Sequence, residues 1–511
     1  MADLPFRYGP RDRKIAFGLF LVVFLLYGFF WGGGGWAQNV DFALTRSIVL
    51  EGDVFVDEYR DVTGDVSEIG GRLVSNKSPG LSLLGIPAYA ISRLLIPGEE
   101  TEIVVNLRAW FTNLFSNALL SALVPPLLFA WARREGIAVR PAAIGALLVG
   151  VATPMLPWAT VFFRHGSSGA LALIAWLAAR SRRPGSAFVA GFAGGSAAVC
   201  NYLMLPVLAA LAVLAAWPEV RNAMSSGLKR VAGVASGAVL PLLVFAGYQI
   251  LATGKIFFLP ANRNEAFVTQ DALFGLLTAP TFDAFWGITF SPYRGLFHLS
   301  PLLLLTVAGA WHMARRGKWA DLLFILAVFA VHFGVNVTFN NWEAGFGIGP
   351  RYLVSAVPLL GVLVIEGAAR SRIWLVAVLA VVSLANAFAA TAVDPLPSGS
   401  IPRPLGGYVY PLLLTGEYEA RGPIHPRWSP ELFHGHTSVN RMSIDEVVPF
   451  AKYPPGDPGS EWAAFNIGEI VTGPGHPASL LPPVLLLILG GAWIVRLSRA
   501  ESSLGRDRVL K

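Results

Sequence analysis

The chain has 511 residues, of which 54% are hydrophobic and only 14% charged, with a mean hydropathy of +0.57. That balance excludes the disordered class and a soluble enzyme alike, and it defines a polytopic membrane protein. The formal charge of +7 does not imply a nucleic-acid partner, because the Lys and Arg residues fall mostly in short clusters between apolar segments, where they act as topology signals. The single Cys200 excludes an intrachain disulfide and a thiolate metal cluster.

In chain order, a basic start (1–14) is followed by an apolar run (15–31) that is too long for a signal-peptide core and ends in Gly32-Gly33-Gly34-Gly35 without a small-x-small cleavage site, so it reads as an uncleaved first span. Further spans are expected near 105–131, 142–163, 166–180, 186–200, 203–217, 231–252, 296–313, 319–338, 352–368, 373–393 and 478–495, twelve in all. A thirteenth stretch, 81–96, is shorter and is broken by Pro87, and it is expected to be re-entrant or interfacial, with a full crossing as the alternative. With twelve spans, the clusters around Arg13, Arg133, Arg182, Arg230, Arg316, Arg370 and Arg499 all fall on the cytoplasmic side, together with both termini.

Cytoplasmic connections are then short, whereas three outer segments are long: 32–80, 253–295 and 394–477. The last is rich in Pro, Gly and aromatics and is expected to form a small ordered outer subdomain. The expected architecture is an all-α polytopic bundle of about 12–13 transmembrane helices. It divides into a catalytic membrane domain (1–393) whose first outer loop (32–80) carries interfacial helices, an extracytoplasmic subdomain (394–477), and a last span with a basic cytoplasmic tail (478–511). No internal repeat of fixed period is evident, which weighs against a transporter built from duplicated halves.

The first outer loop is the most informative stretch. It runs from Gln38-Asn39-Val40-Asp41 through a helix-like segment to Gly52, then Asp53, Asp57, Glu58, Asp61 and Asp65, and closes with Ser75-Asn76-Lys77-Ser78-Pro79-Gly80. A carboxylate at the membrane surface can serve as general base toward a hydroxyl, and a lysine at the start of a membrane-embedded segment can hold a phosphate as a point charge. The bland alternatives are solvated loop acids and a snorkelling lysine.

Elsewhere, Arg164-His165 occupies an outer turn, Arg263 and Glu265 lie in the second long loop, and Arg294 precedes Gly295, where backbone can approach a ligand. Glu343 and Arg351 flank the glycine-rich turn Gly345-Phe346-Gly347-Ile348-Gly349, an arrangement suited to a phosphate, and Trp342 beside it suits a sugar ring or an aromatic belt. His165 suits proton transfer or a structural role. His434-Gly435-His436 lacks a Cys or carboxylate at zinc-site spacing.

Four stretches resemble a known family. They are Thr45-Arg46-Ser47-Ile48-Val49-Leu50-Glu51-Gly52; Thr63-Gly64-Asp65 with Ser75-Asn76-Lys77-Ser78-Pro79-Gly80 and Pro87-Ala88-Tyr89; Arg294-Gly295-Leu296-Phe297 with Ser300-Pro301; and Gly347-Ile348-Gly349-Pro350-Arg351-Tyr352 with Pro358. In that order the sequence resembles the GT-C class of polyprenyl-phosphate-sugar-dependent glycosyltransferases, in the bacterial branch with the protein O-mannosyltransferases and the lipid A aminoarabinose transferase.

The resemblance implies a GT-C-like bundle and an inverting transfer from a polyprenyl-phosphate sugar to a glycan, lipid or protein acceptor on the outer face of the bacterial cytoplasmic membrane. It also implies a first-loop aspartate as base and basic residues on the lipid phosphate. Relatives place an Asp-Glu pair at the head of the first interfacial helix, whereas this chain reads Gln38-Asn39-Val40-Asp41, so Asp41, Asp57 and Asp65 stand as equal candidates. The first loop has no Asp-x-Asp, and metal-independent catalysis without a cofactor is expected, with a divalent ion near Asp57-Glu58 as the alternative. A lipid-linked polysaccharide ligase or polymerase and a lipid or sugar transporter are the other readings; the few mid-span charges disfavour the transporter.

Overall fold

The computed structural model describes residues 8–220, 224–264, 272–397, 399, 401–415, 464–473 and 476–499. These residues form an all-α membrane protein with two short two-stranded sheets. Among the described residues, six helices are both long and apolar enough to cross a bilayer: Ile103–Arg134, Met224–Thr253, Trp319–Thr338, Arg351–Ala368, Ile373–Val393 and Pro477–Arg499. The other expected spans are also helical, among them Pro10–Phe29, Arg164–Arg180 and Ser186–Cys200.

Two expected spans are interrupted. Residues 142–163 divide into Val139–Val151 and Met155–Ala159, because Pro154 cannot donate into the preceding turn. Helix formation in 296–313 breaks at Ser300, immediately before Pro301. The stretch expected to be re-entrant is the helix Gly80–Leu95, which retains Pro87 and is shorter than a typical crossing. In the segment 394–477, expected on the outer side, the described residues include the helix Tyr410–Thr415 and the strand Phe465–Asn466, while His434 and His436 lie outside the described residues.

Helix packing relies on small residues. A Cβ on Gly309 would lie 1.9 Å from the Leu363 carbonyl oxygen, and one on Gly367 would lie 2.2 Å from that of Leu305, so these backbones touch directly. Val357–Ala368 is buried from Val357 to Gly367, as an interior helix must be when it is apolar all round.

One end of the bundle carries a continuous ionic network. Glu135 pairs with Arg180, Arg316 and Lys318; Asp321 pairs with Arg180; and the fully buried Glu366 pairs with Arg316 and Arg370. Three of the basic clusters assigned to one side of the membrane therefore converge on shared acids. Arg164 and Arg180 terminate the same helix, and Arg351 and Glu366 lie toward opposite ends of another, so Arg164 and Arg351 mark the far end of the bundle.

The first long loop, 32–80, is ordered at that far end. Phe30 and Trp31 pair antiparallel with Asn466 and Phe465, and helix Trp36–Leu50 follows the glycine run. Val40, Ala43 and Leu44 of this helix pack on Val56, Tyr59, Leu73 and Val74, and the cluster is completed by Tyr248 and Ala252 from the span Met224–Thr253. Instead of further interfacial helices, the loop contains a 3-10 turn (Asp57–Val62) and a β-hairpin, Val66–Ile69 against Arg72–Ser75. Gly70 and Gly71 have φ of +62° and +80°, the left-handed pair that a tight two-residue hairpin turn requires. The second long loop clamps the hairpin: Ser67 Oγ donates to the Pro260 carbonyl at 2.6 Å, and Asn264 Nδ2 donates to the Gly64 and Val66 carbonyls at 2.9 Å each.

Candidate functional site

The hairpin sets the geometry of the site. Val66 pairs with Ser75, so the residues flanking the open end, Asp65 and Lys77, return to one another. Lys77 Nζ donates to Asp65 Oδ1 at 2.9 Å, with the carboxylate almost buried and the ammonium only partly exposed. The Asp65 backbone is held from both sides, since Thr63 Oγ1 accepts its N–H at 3.0 Å and its carbonyl accepts from the Asn76 N–H at 3.1 Å.

Asp65 and Lys77 line an open cleft whose other walls include Trp36, Gln38, Asn341, Phe346, Arg351 and Tyr352. The first long loop and the glycine-rich turn, more than 250 residues apart in sequence, thus enclose one volume. Arg351 lies over the rings of Phe163 and Tyr352, at 5.5 and 5.3 Å from their centroids, and its Nε is buried without a hydrogen-bond partner among the described residues. A guanidinium held by ring faces keeps donor capacity for an anion.

Asp41 is fully buried, one turn beyond Gln38 on the same helix, and does not line the cleft. Arg164 Nη2 donates to both of its oxygens at 2.8 Å. Burial pushes the Asp41 carboxyl up to about 6; Arg164 and Lys77 pull it down, and Asp65 adds to the rise. The Asp41 carbonyl accepts from Ser82 Oγ at 2.7 Å and from Thr45 Oγ1 at 3.1 Å, which fastens the loop helix to Gly80–Leu95.

Asp57 is elsewhere. It accepts from Arg72 Nε at 2.6 Å and from the Leu73 N–H at 2.7 Å on the outside of the hairpin. Burial acts to raise its carboxyl, but the Leu73 N–H and the Arg72 guanidinium outweigh this and hold it below the ordinary carboxylate value.

The remaining candidates divide the same way. Arg294 is buried, donates to the Gly345 carbonyl, and leaves Nε and Nη1 without partners among the described residues, next to the cleft wall that Gly345 forms. His165 is buried and meets the ring of Tyr352 edge-on. Glu343 is buried and Trp342 packs on Gly287, and neither lines the cleft. Arg263 is exposed on the clamping turn, and Glu265 lies outside the described residues. Among the described residues no group of three or more His, Cys, Asp or Glu is placed to hold a metal ion.

Sequence reasoning missed Asn341 and Tyr352, both in or beside the glycine-rich turn, and a buried polar cluster of Asn201, His332 and Ser355. Closeness to the turn was the available signal for the first two. The cluster had none, because its members come from three helical segments remote in sequence.

Fold and site together define an all-α membrane protein with a charged cleft at one end of its bundle, opposite a basic ionic network. No model of a known protein family matches the sequence, and no curated protein matches it. Among solved structures, the chain is similar to ArnT from Cupriavidus metallidurans in the apo state, with 17% identity, a TM-score of 0.42, and coverage of 71% of this chain and 59% of that one. It is equally similar to the same protein bound to undecaprenyl phosphate, with 18% identity, a TM-score of 0.42, and coverage of 71% and 60%. An oligosaccharyltransferase from Archaeoglobus fulgidus, in the apo form, follows with 13% identity, a TM-score of 0.43, and coverage of 77% and 57%. The chain spans about three fifths of the length of each of these proteins.

Proposed function

We propose that the protein is a membrane glycosyltransferase that moves a sugar from a polyprenyl-phosphate donor to an acceptor hydroxyl on the outer face of the cytoplasmic membrane. The observation that carries this reading is the convergence of Asp65, Lys77 and Arg351 on one cleft. A leaving phosphate needs cationic partners, the attacking hydroxyl needs a base, and the cleft holds both kinds of group. The four sequence stretches that resemble GT-C transferases support the same reading. The outer face is supported by the opposite end of the bundle, where three of the basic clusters meet, under the rule that Lys and Arg accumulate inside.

In the proposed reaction the acceptor oxygen attacks the anomeric carbon from the side opposite the phosphate, forming the new C–O bond as the bond to phosphate oxygen breaks. The configuration inverts, the hydroxyl proton passes to the Asp65 carboxylate, and the leaving electron pair stays on the polyprenyl phosphate, which Lys77 and Arg351 neutralise. Asp65 is preferred as base because it lines the cleft, whereas both Asp41 oxygens are committed to Arg164. Arrival of the donor phosphate at Lys77 competes with the Asp65 contact and so frees the base. No metal is required by this scheme.

The test is to incubate the purified protein with a panel of polyprenyl-phosphate sugars and a range of acceptors and to measure polyprenyl-phosphate release. The expected result is release from at least one donor and its loss in Asp65→Asn. Folded protein that releases nothing from any donor ends the reading.

A further inference from the structure

Between the three cation-bearing segments of the site lies a buried amide with no part in the chemistry above. Asn201 occupies the junction where helix Ser186–Cys200 stops, with extended backbone at φ −149° and ψ 114°. Its Oδ1 accepts the Leu203 N–H at 3.1 Å and so caps the next helical turn. Its Nδ2 faces three acceptors: Ser355 Oγ at 3.1 Å, His165 Nδ1 at 3.3 Å and His332 Nε2 at 3.4 Å. The His332 tautomer follows from its other nitrogen, since Nδ1 stands 2.8 Å from the Val328 carbonyl and must donate there, which leaves Nε2 to accept.

Two of these contacts lead to different cations. Ser355 shares the 3-10 turn Arg351–Ala356 with Arg351, and its Oγ also meets Ser168 Oγ at 2.8 Å and His165 Nδ1 at 3.1 Å. His165 follows Arg164 directly in the chain. The backbone on either side of Asn201 holds the third segment: Ser78 Oγ donates to the Cys200 carbonyl at 2.5 Å, and the Tyr202 hydroxyl donates to the Lys77 carbonyl at 3.4 Å. One buried side chain and its two neighbours thereby tie together the segments bearing Lys77, Arg164 and Arg351.

We propose that Asn201, acting through Ser355, is a positioning residue that fixes the spacing of Lys77 and Arg351 across the cleft, with the Arg164 segment braced between them, and with it the affinity of the cleft for a lipid-linked phosphate. The inference rests on the glycosyltransferase reading for the identity of the ligand, but not for the coupling of the segments. Bound anions reward a preformed cation array, because each mobile side chain that must be ordered on binding subtracts from affinity. Asn201→Ser separates the two roles of the residue, since a serine still caps the next turn but cannot reach three acceptors.

The experiment uses the full chain in lipid nanodiscs. Hydrogen exchange without ligand is followed in 75–80 and 351–356, with 373–393 as reference, and binding of polyprenyl phosphate alone is titrated in parallel. In Asn201→Ser, and independently in Ser355→Ala, exchange in both site segments should rise about tenfold against an unchanged reference. The dissociation constant for polyprenyl phosphate, and KM for the sugar donor, should rise by a similar factor with kcat within about twofold, and Ser355→Thr should restore both. Unchanged exchange in both site segments in the two variants overturns the proposal, as does a fall in kcat at constant KM. A wild-type protein that binds no polyprenyl phosphate removes the functional reading and leaves the positioning claim to be decided by the exchange data.

Discussion

Asp65 Oδ1 lies 2.9 Å from Lys77 Nζ because a hairpin with two left-handed glycines at its turn brings residue 77 back beside residue 65. The pair is therefore sensitive to a turn that lies away from the cleft. Gly70→Val or Gly71→Val forces a β-branched residue into positive φ, at a cost of about 1–2 kcal/mol. Transfer should fall with the loss of hairpin protection in hydrogen exchange, while Gly70→Asn, which tolerates that conformation, should retain most activity.

Removing the ammonium of Lys77 tests the phosphate contact. Lys77→Ala should weaken binding of polyprenyl phosphate by about 10–100-fold, the range of one charge-assisted hydrogen bond. Lys77→Arg should recover part of the loss, and titration with the lipid phosphate reads both.

Asp65 and Asp57 of the first loop should separate in kinetics. Asp65→Asn should lower kcat by about 10²–10⁴-fold as the loss of a general base. Asp57→Ala should have a far smaller effect, because its partner is Arg72 in a solvated ion pair that water and salt screen. Equal losses in the two variants would remove Asp65 as the base.

Asp41 gives stability a pH dependence of known sign. Its carboxyl titrates near 6 in the folded protein, above the ordinary carboxylate value, so between about 4 and 6 the folded state holds the extra proton and stability falls as pH rises. The contribution is on the order of 3 kcal/mol before any relaxation. Melting curves in detergent should show this decline in wild type and a flatter profile in Asp41→Asn.

The Asp41–Arg164 pair should be asymmetric to mutation. Arg164→Met leaves a buried carboxylate uncompensated and should destabilise the protein by about 3–5 kcal/mol, whereas Arg164→Met with Asp41→Leu should recover much of that loss. A thermal double-mutant cycle measures the difference.

Much of the helical framework was legible, since stretches of about 20 apolar residues have few other fates, and the basic clusters sorted the ends of those helices. The breaks at Pro154 and Ser300 were not anticipated, because a window of apolar residues averages over a single kink. In the first loop the helical expectation held for Trp36–Leu50 and failed beyond it. The signal for the hairpin was present in Val66-Ser67-Glu68-Ile69, Gly70-Gly71 and Arg72-Leu73-Val74-Ser75, an alternating pair of segments around two glycines. A two-residue turn at those glycines fixes the register, and the register alone is enough to return Lys77 to the neighbourhood of Asp65. The Asp41–Arg164 pair had no such route, because its members lie 123 residues apart and meet only through packing of the loop helix on the bundle.

The pairing of Phe30 and Trp31 with Phe465 and Asn466 has a consequence for biogenesis. The strand that anchors the root of the first loop lies more than 400 residues further along the chain, so a nascent chain can insert the helices between the two while that loop still lacks its tether. The loop is then tethered only after those helices are in place.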